Sequence, residues 1–241
     1  MDNTELLKSG LDFYNIEPNN EIIERFNIYT RMLIEWNQKI NLTAITDEKE
    51  IIIKHYFDSI SCVNTGIISD TQNKSIVDVG TGAGFPGIPI KIVKPSIRLT
   101  LIDSLKKRTL FLEELTHEMG IDCEIIHGRA EDLGKNKDYR EKYHIAVSRA
   151  VAGMAVLSEY ILPFVKIGGN MVCLKGPAVF DELKDAEAAI NILGGKFVET
   201  LPTDVYKSSL TRYIVIVEKT SNCPTKYPRK AGTVEKKPLG L

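Results

Sequence analysis

Apolar positions change their period along the chain, and the changes divide it into three stretches, residues 1–65, 66–219 and 220–241. In the first stretch the period is helical. Ile22, Phe26, Tyr29, Leu33, Trp36 and Ile40 follow one another at steps of four and three, a stripe on one helix face. Such a stripe packs on its own chain's core far more often than in a partner's coil. A second helix is predicted over Ile51–Val63, where Asp47 and Glu50 make an acidic start related to a capping box.

From Ser75 short apolar runs alternate with helical stretches. Strands are predicted at Ile76–Val79, Leu99–Asp103, Cys123–His127, His144–Ser148 and Asn170–Leu174. Between them, Leu105–Met119 carries Leu105, Leu112, Leu115 and Met119 on one face and stops at Gly120. Asp181–Leu193 does the same with Leu183, Ala186, Ile190 and Leu193 before Gly194 and Gly195. This alternation predicts an α/β fold, a mostly parallel sheet with helices on both faces. Lys196–Leu201 and Tyr213–Glu218 have no helix between them, so they are predicted as an antiparallel pair at the sheet edge. The last stretch has three prolines, Pro224, Pro228 and Pro238, and little apolar periodicity, and reads as a tail.

The chemistry concentrates where the first strand ends, at Asp78-Val-Gly-Thr-Gly-Ala-Gly-Phe-Pro-Gly87. Strand, glycine-dense turn and helix in that order form a nucleotide pocket at the carboxyl end of a sheet strand. A dinucleotide fingerprint needs its third glycine where Phe85 stands. Gly80, Gly82 and Gly84 after an acid instead resemble motif I of the class I methyltransferases, which bind S-adenosylmethionine. Asp103 ends the second strand about twenty residues later, the spacing at which an acid reaches ribose hydroxyls. Gly128-Arg-Ala-Glu-Asp132 follows the third strand and suits an adenine edge, with Ala130 and Glu131 central. Arg149 follows the fourth strand and is expected to point into the cleft, with three candidate partners: the cofactor carboxylate, an RNA phosphate, or a structural acid, Asp78 or Glu131. Lys175 lies on the same rim after the fifth strand.

The net charge of −1 means that any nucleic-acid footprint is local. Two clusters qualify: Lys106 to Arg108, and the tail with Lys226, Arg229 and Lys230, where Tyr227 is a stacking candidate. No apolar run approaches the ~20 residues of a membrane span, and the N-terminus lacks the pattern of a signal peptide. The four cysteines are far apart and the four histidines show no metal spacing. A cytoplasmic protein with reduced thiols is expected.

Four stretches then carry a specific resemblance: Trp36–Ala44, His55–Ser59, Asp78–Gly87 and Ser148–Ala152, with Lys226–Thr233 in the tail. On these the chain resembles the glucose-inhibited division B family, bacterial 16S ribosomal RNA guanine-N7 methyltransferases, over nearly its whole length. The resemblance implies a class I methyltransferase fold with an N-terminal helical extension. It implies S-adenosylmethionine as methyl donor without a metal, and contacts to it from Gly80, Phe85, Ala130, Glu131 and Arg149. It implies 16S ribosomal RNA or the small ribosomal subunit as partner, with no membrane and no obligate protein partner. Ser208–Thr211, before Arg212, is less acidic than the family pattern and leaves the role of Arg212 open. Guanine N7 has a free lone pair, so no general base is assigned; alignment supplies the catalysis. The competing readings are a small-molecule methyltransferase, a non-catalytic RNA-binding factor on the same fold, and an NAD-dependent oxidoreductase.

Overall fold

A computed structural model describes residues 1–68, 73–149 and 152–241. Ala150 and Val151 of the Ser148–Ala152 stretch lie outside the described residues. The chain opens with helices α1 (Asn3–Phe13) and α2 (Asn20–Asn37). Asp2 and Asn19 cap them, each side chain accepting from an amide one turn in, Glu5 and Ile22 respectively. The next helical stretch changes pitch repeatedly: α3 (Glu48–Ile51), a π turn (Ile52–Phe57), α4 (Asp58–Ile60) and a 3-10 turn (Ser61–Asn64). Asp47 is its N-cap and accepts from the Glu50 amide, as its sequence position suggested.

The remainder alternates. Strand β1 (Ser75–Val79) leads to α5 (Gly87–Val93), and β2 (Arg98–Asp103) to α6 (Lys106–Glu118). Then come β3 (Glu124–His127), α7 (Ala130–Leu133), β4 (Tyr143–Arg149), α8 (Met154–Ile161), β5 (Val165–Lys175) and α9 (Val179–Ile192). The chain ends with β6 (Gly195–Asp204), β7 (Thr211–Lys219) and a short α10 (Thr233–Lys236). The seven strands lie in the order β3-β2-β1-β4-β5-β7-β6. Strands β1 to β5 pair in parallel, and β7 runs antiparallel to both β5 and β6. The closing pair is therefore antiparallel and at the edge, with β7 inserted between β5 and the edge strand β6.

Strand alternation sorts side chains into two cores, one on each face of the sheet. Ile76, Leu101, Ile145 and Val147 face the first core, which contains Leu7, Phe26, Tyr29, Leu33 and Phe57 from the N-terminal helices. Val77, Val79, Ile102 and Ala146 face the second, with Leu157, Ile161 and Ile190 from α8 and α9. The N-terminal helices thus share a continuous core with the sheet. The tail is docked as well: Cys223, Tyr227, Val234 and Leu239 are buried in the second core. Arg140 holds it by donating to the Tyr227 and Cys223 carbonyls at 2.8 and 2.6 Å.

Candidate active site

The glycine turn after β1 is held from below. Asp78 is fully buried, and its Oδ2 accepts from Thr81 Oγ1 at 2.7 Å and from the Gly87 amide at 2.8 Å. A Cβ on Gly87 would stand 2.8 Å from that same oxygen, so only glycine lets the helix start so close to the carboxylate. Asp78, expected among the cofactor contacts, is therefore a clamp on the turn and does not line the cleft in front of it. Burial pushes its carboxyl up to about 7 despite the two donors. The turn is also held from above. Gly84 has φ +101°, and a Cβ there would come within 2.7 Å of Ile88 and the Tyr29 hydroxyl. Tyr29 donates to the Ala83 carbonyl at 2.5 Å. Phe85 stacks between Tyr29 and His55, with centroids 5.3 and 4.6 Å away. The helical extension thus shapes the turn directly.

In front of the turn lies a cleft of about 390 Å³, lined by Gly80, Asp103, Ala130, Glu131 and Arg149, with Arg108 at its side. Gly82, Gly84 and Phe85, expected among the cofactor contacts, shape the turn without lining the cleft. Asp103 is fixed in place: Oδ1 accepts from the Leu105 amide and Oδ2 from the Gly82 amide, both at 2.9 Å. Arg108, expected at RNA, sits 3.4 Å from Asp103 instead. Tyr160 and Glu235 close the far side, joined at 3.3 Å. Glu235 comes from the docked tail, a contribution that local sequence pattern did not reveal. The volume falls in the usual range of ligand pockets, about 300–1,000 Å³. A fixed carboxylate at the end of β2, a turn after β3 and a guanidinium at the end of β4 match a nucleoside that carries a carboxylate. S-adenosylmethionine has that chemistry, so the residues fit it.

Arg149 is shared between this cleft and a second of about 570 Å³. Asp78 and Glu131 were the structural acids expected beside it, but the acid it meets is Asp58, with Nη1 3.0 Å from Oδ2. The same group donates to the Lys54 and His55 carbonyls, each at 3.2 Å, which the π turn presents. The guanidinium lies over the Phe85 ring at 4.8 Å. Burial pulls its pKa down, and Asp58 opposes that shift. The other oxygen of Asp58 accepts from Arg212 Nε at 2.8 Å. One buried carboxylate therefore joins two arginines from β4 and β7, and this gives Arg212 a structural role through its Nε.

His55 fills the remaining space. Its Nδ1 lies 3.2 Å from Arg149 Nη2, which can only donate, so the imidazole proton is on Nε2, 2.7 Å from Thr43 Oγ1. Burial first, and then the Arg149 charge, hold its pKa down to about 3. Thr43 is positioned by Asn37, whose amide oxygen accepts from the Leu42 and Thr43 amides at 2.8 and 3.0 Å. The His55–Ser59 stretch thus lines the second cleft through His55 and Asp58, and the Trp36–Ala44 stretch supports it from behind through Asn37 and Thr43. In the sequence these stretches carried the family resemblance, but no role followed from local pattern.

The basic residues expected at RNA divide into two groups. Lys106, Lys226 and Lys230 are exposed. Arg229 is committed to a buried carboxylate, whereas Lys175 pairs with the partly exposed Glu182 in the lining of the second cleft. Arg229 binds fully buried Glu159 through Nε and Nη2, the shorter contact being 2.6 Å. Lys175 donates to the Ala152 carbonyl at 2.8 Å and meets Glu182 at 2.6 Å.

Known proteins resemble this chain in sequence and, separately, in fold. The family model described as "rRNA small subunit methyltransferase G" matches residues 22–208. The Ribosomal RNA small subunit methyltransferase G of Alkaliphilus oremlandii is 50% identical over 99% of this chain and 100% of its own. That of Thermoanaerobacter sp. (strain X514) is 46% identical over 98% of both. Among solved structures, one described as a putative class I S-adenosylmethionine-dependent methyltransferase of Listeria monocytogenes aligns with TM-score 0.57. It is 14% identical and the match covers 82% of this chain and 69% of that one. M. jannaschii TYW2, solved in complex with AdoMet, aligns with TM-score 0.51 at 12% identity, covering 67% and 76%. These structural likenesses concern the fold.

Proposed function

The chain belongs to the rRNA small subunit methyltransferase G family, and from that premise we propose that it methylates N7 of a guanine in the RNA of the small ribosomal subunit. The methyl donor is S-adenosylmethionine, which supplies an electrophilic methyl group on a sulfonium. The observation that carries this reading is the meeting of two clefts at Arg149. One matches a nucleoside bearing a carboxylate. The other is basic, lined by Lys54, Arg149, Lys175 and Arg212 against Asp58 and Glu182.

The residues around the meeting point suit an acceptor that brings its own lone pair. Both nitrogens of His55 have partners, and its low pKa makes it a poor proton acceptor. Asp58 spends both oxygens on arginines. What these groups do well is hold position. Phe85, His55 and Asp58 fix the Arg149 guanidinium, and Asp103 is fixed by backbone amides. Orientation of this kind supplies up to ~7–11 kcal/mol in aligned systems.

Lys106, Lys226 and Lys230 are exposed cations available to RNA phosphates. No helix among the described residues is long and apolar enough to cross a membrane, and a ribosomal substrate implies activity in the cytoplasm. The test is transfer of labelled methyl from S-adenosylmethionine to small subunits from a strain lacking the enzyme. Label released as 7-methylguanine supports the reading; label on adenine, cytosine or protein overturns it.

A further inference from the structure

In the second cleft, Lys175 at the end of β5 and Glu182 in the first turn of α9 are joined in an uneven way. Glu182 Oε2 accepts the Met154 amide at 3.0 Å and meets Lys175 Nζ at 2.6 Å. Both contacts fall on one oxygen; Oε1 accepts no hydrogen bond among the described residues. Among those residues Nζ of Lys175 has two partners, Glu182 and the Ala152 carbonyl, and an ammonium has three donors. The pair therefore offers one free acceptor beside one free donor, fixed by α8, α9 and β5.

Resting on the guanine reading above, we propose that Glu182 and Lys175 select the base: Glu182 accepts from the N1–H and N2 amine of guanine, and Lys175 donates to O6. Guanine is the base whose adjacent edge atoms are donor, donor and acceptor in that order. Adenine presents an acceptor at N1, which would face the carboxylate without a proton between them. Strand order gives the direction. The sheet runs β1-β4-β5, so Arg149 at the end of β4 lies between the cofactor cleft and Lys175. In guanine, O6 lies between N1 and N7. A base with N1 at Glu182 and O6 at Lys175 turns N7 toward β4 and the methyl donor. The same placement that reads the base presents its nucleophilic atom.

The experiment compares small subunits reconstituted with the target guanine and with adenine at that position, using kcat/KM for methyl transfer. Wild-type protein is expected to prefer guanine at least ~100-fold. Glu182→Gln keeps an oxygen for the Met154 amide but swaps a free acceptor for a donor. It is expected to lose roughly ten- to hundredfold on guanine and to bring the guanine-to-adenine ratio toward one, with S-adenosylmethionine affinity unchanged. Lys175→Gln, read by the same ratio, covers the case in which Glu182→Gln folds poorly. An unaltered ratio in the folded variants overturns this inference while leaving guanine methylation by the wild type intact. Failure of the wild type to methylate guanine at N7 overturns the functional reading and this inference together.

Discussion

Asp58→Ala tests the hub on which both clefts depend. The Asp58 side chain is 3% exposed and serves Arg149, 13% exposed, and Arg212, 27% exposed, at 3.0 and 2.8 Å. Removing the acid leaves Arg149 charged and largely buried, with only carbonyls and an imidazole nitrogen among its protein partners. Loss of one partner of a buried pair costs about 3–5 kcal/mol, most of it at Arg149, because Arg212 can turn to solvent. In a chain of this size each kcal/mol lowers Tm by about 2–4 °C, so a fall of about 6–20 °C is expected by calorimetry. Asp58→Asn retains one acceptor oxygen and should cost less, about 1.5–3 kcal/mol, the worth of a charged hydrogen bond. In a cycle with Arg149→Met, the double variant should be more stable than the sum of single losses by about 0.5–3 kcal/mol. Additive losses, or a Tm for Asp58→Ala within about 2 °C of the parent, would refute the shared-carboxylate reasoning.

Four further outcomes follow from the structure. His55 has a folded pKa near 3 against an ordinary 6.5; its contribution to stability is present above the unfolded value and is lost as pH falls toward 3. Its ring resonances should therefore stay constant from pH 8 to pH 5, and a titration centred near 6.5 would contradict the assignment. Asp78 has the opposite sign: its carboxyl rises from 3.8 to about 7, so stability present below pH 4 is lost as pH rises through 7. Asp78→Asn removes that dependence, and its unfolding free energy relative to the parent should improve by up to about 4 kcal/mol from pH 4 to pH 8; a pH-independent difference rejects the argument. Arg229→Leu leaves Glu159 buried without its partner and should destabilise the protein by about 3–5 kcal/mol, whereas a purely RNA-binding arginine would leave urea unfolding unchanged. Deletion after Thr220 should then destabilise the whole fold rather than spare cofactor binding.

The elements with a clear period were legible in the sequence. All seven strands overlap the predicted apolar runs, although β5 begins five residues earlier, at Val165, and neither β3 nor β6 is mostly buried. The α2 stripe holds through Trp36, and Ile40 packs on the same core from beyond the helix, which ends at Asn37, whose side chain is drawn into the loop that seats Thr43. Helix α8 is buried on every side, so it offers no amphipathic period. The lining of the first cleft was legible through Gly80, Asp103, Ala130, Glu131 and Arg149, since each lies at or just after a strand end and strand ends share one rim. The hub was not. Residues 58, 149 and 212 meet only because β7 inserts beside β5 and the π turn of the extension reaches over β4. Lys175 and Arg229 look like free cations in the sequence because Glu182 and Glu159 approach them through helix packing, a non-local event.

The most direct test of two clefts meeting at Arg149 is a crystal structure with S-adenosylhomocysteine and a guanosine nucleotide. The adenosine is expected between Asp103 and Ala130, its sulfur directed at Arg149, with guanine in the second cleft and N7 facing that sulfur. Adenosine seated against Gly176 and Leu174, or guanine N7 turned away from the sulfur, would contradict this arrangement.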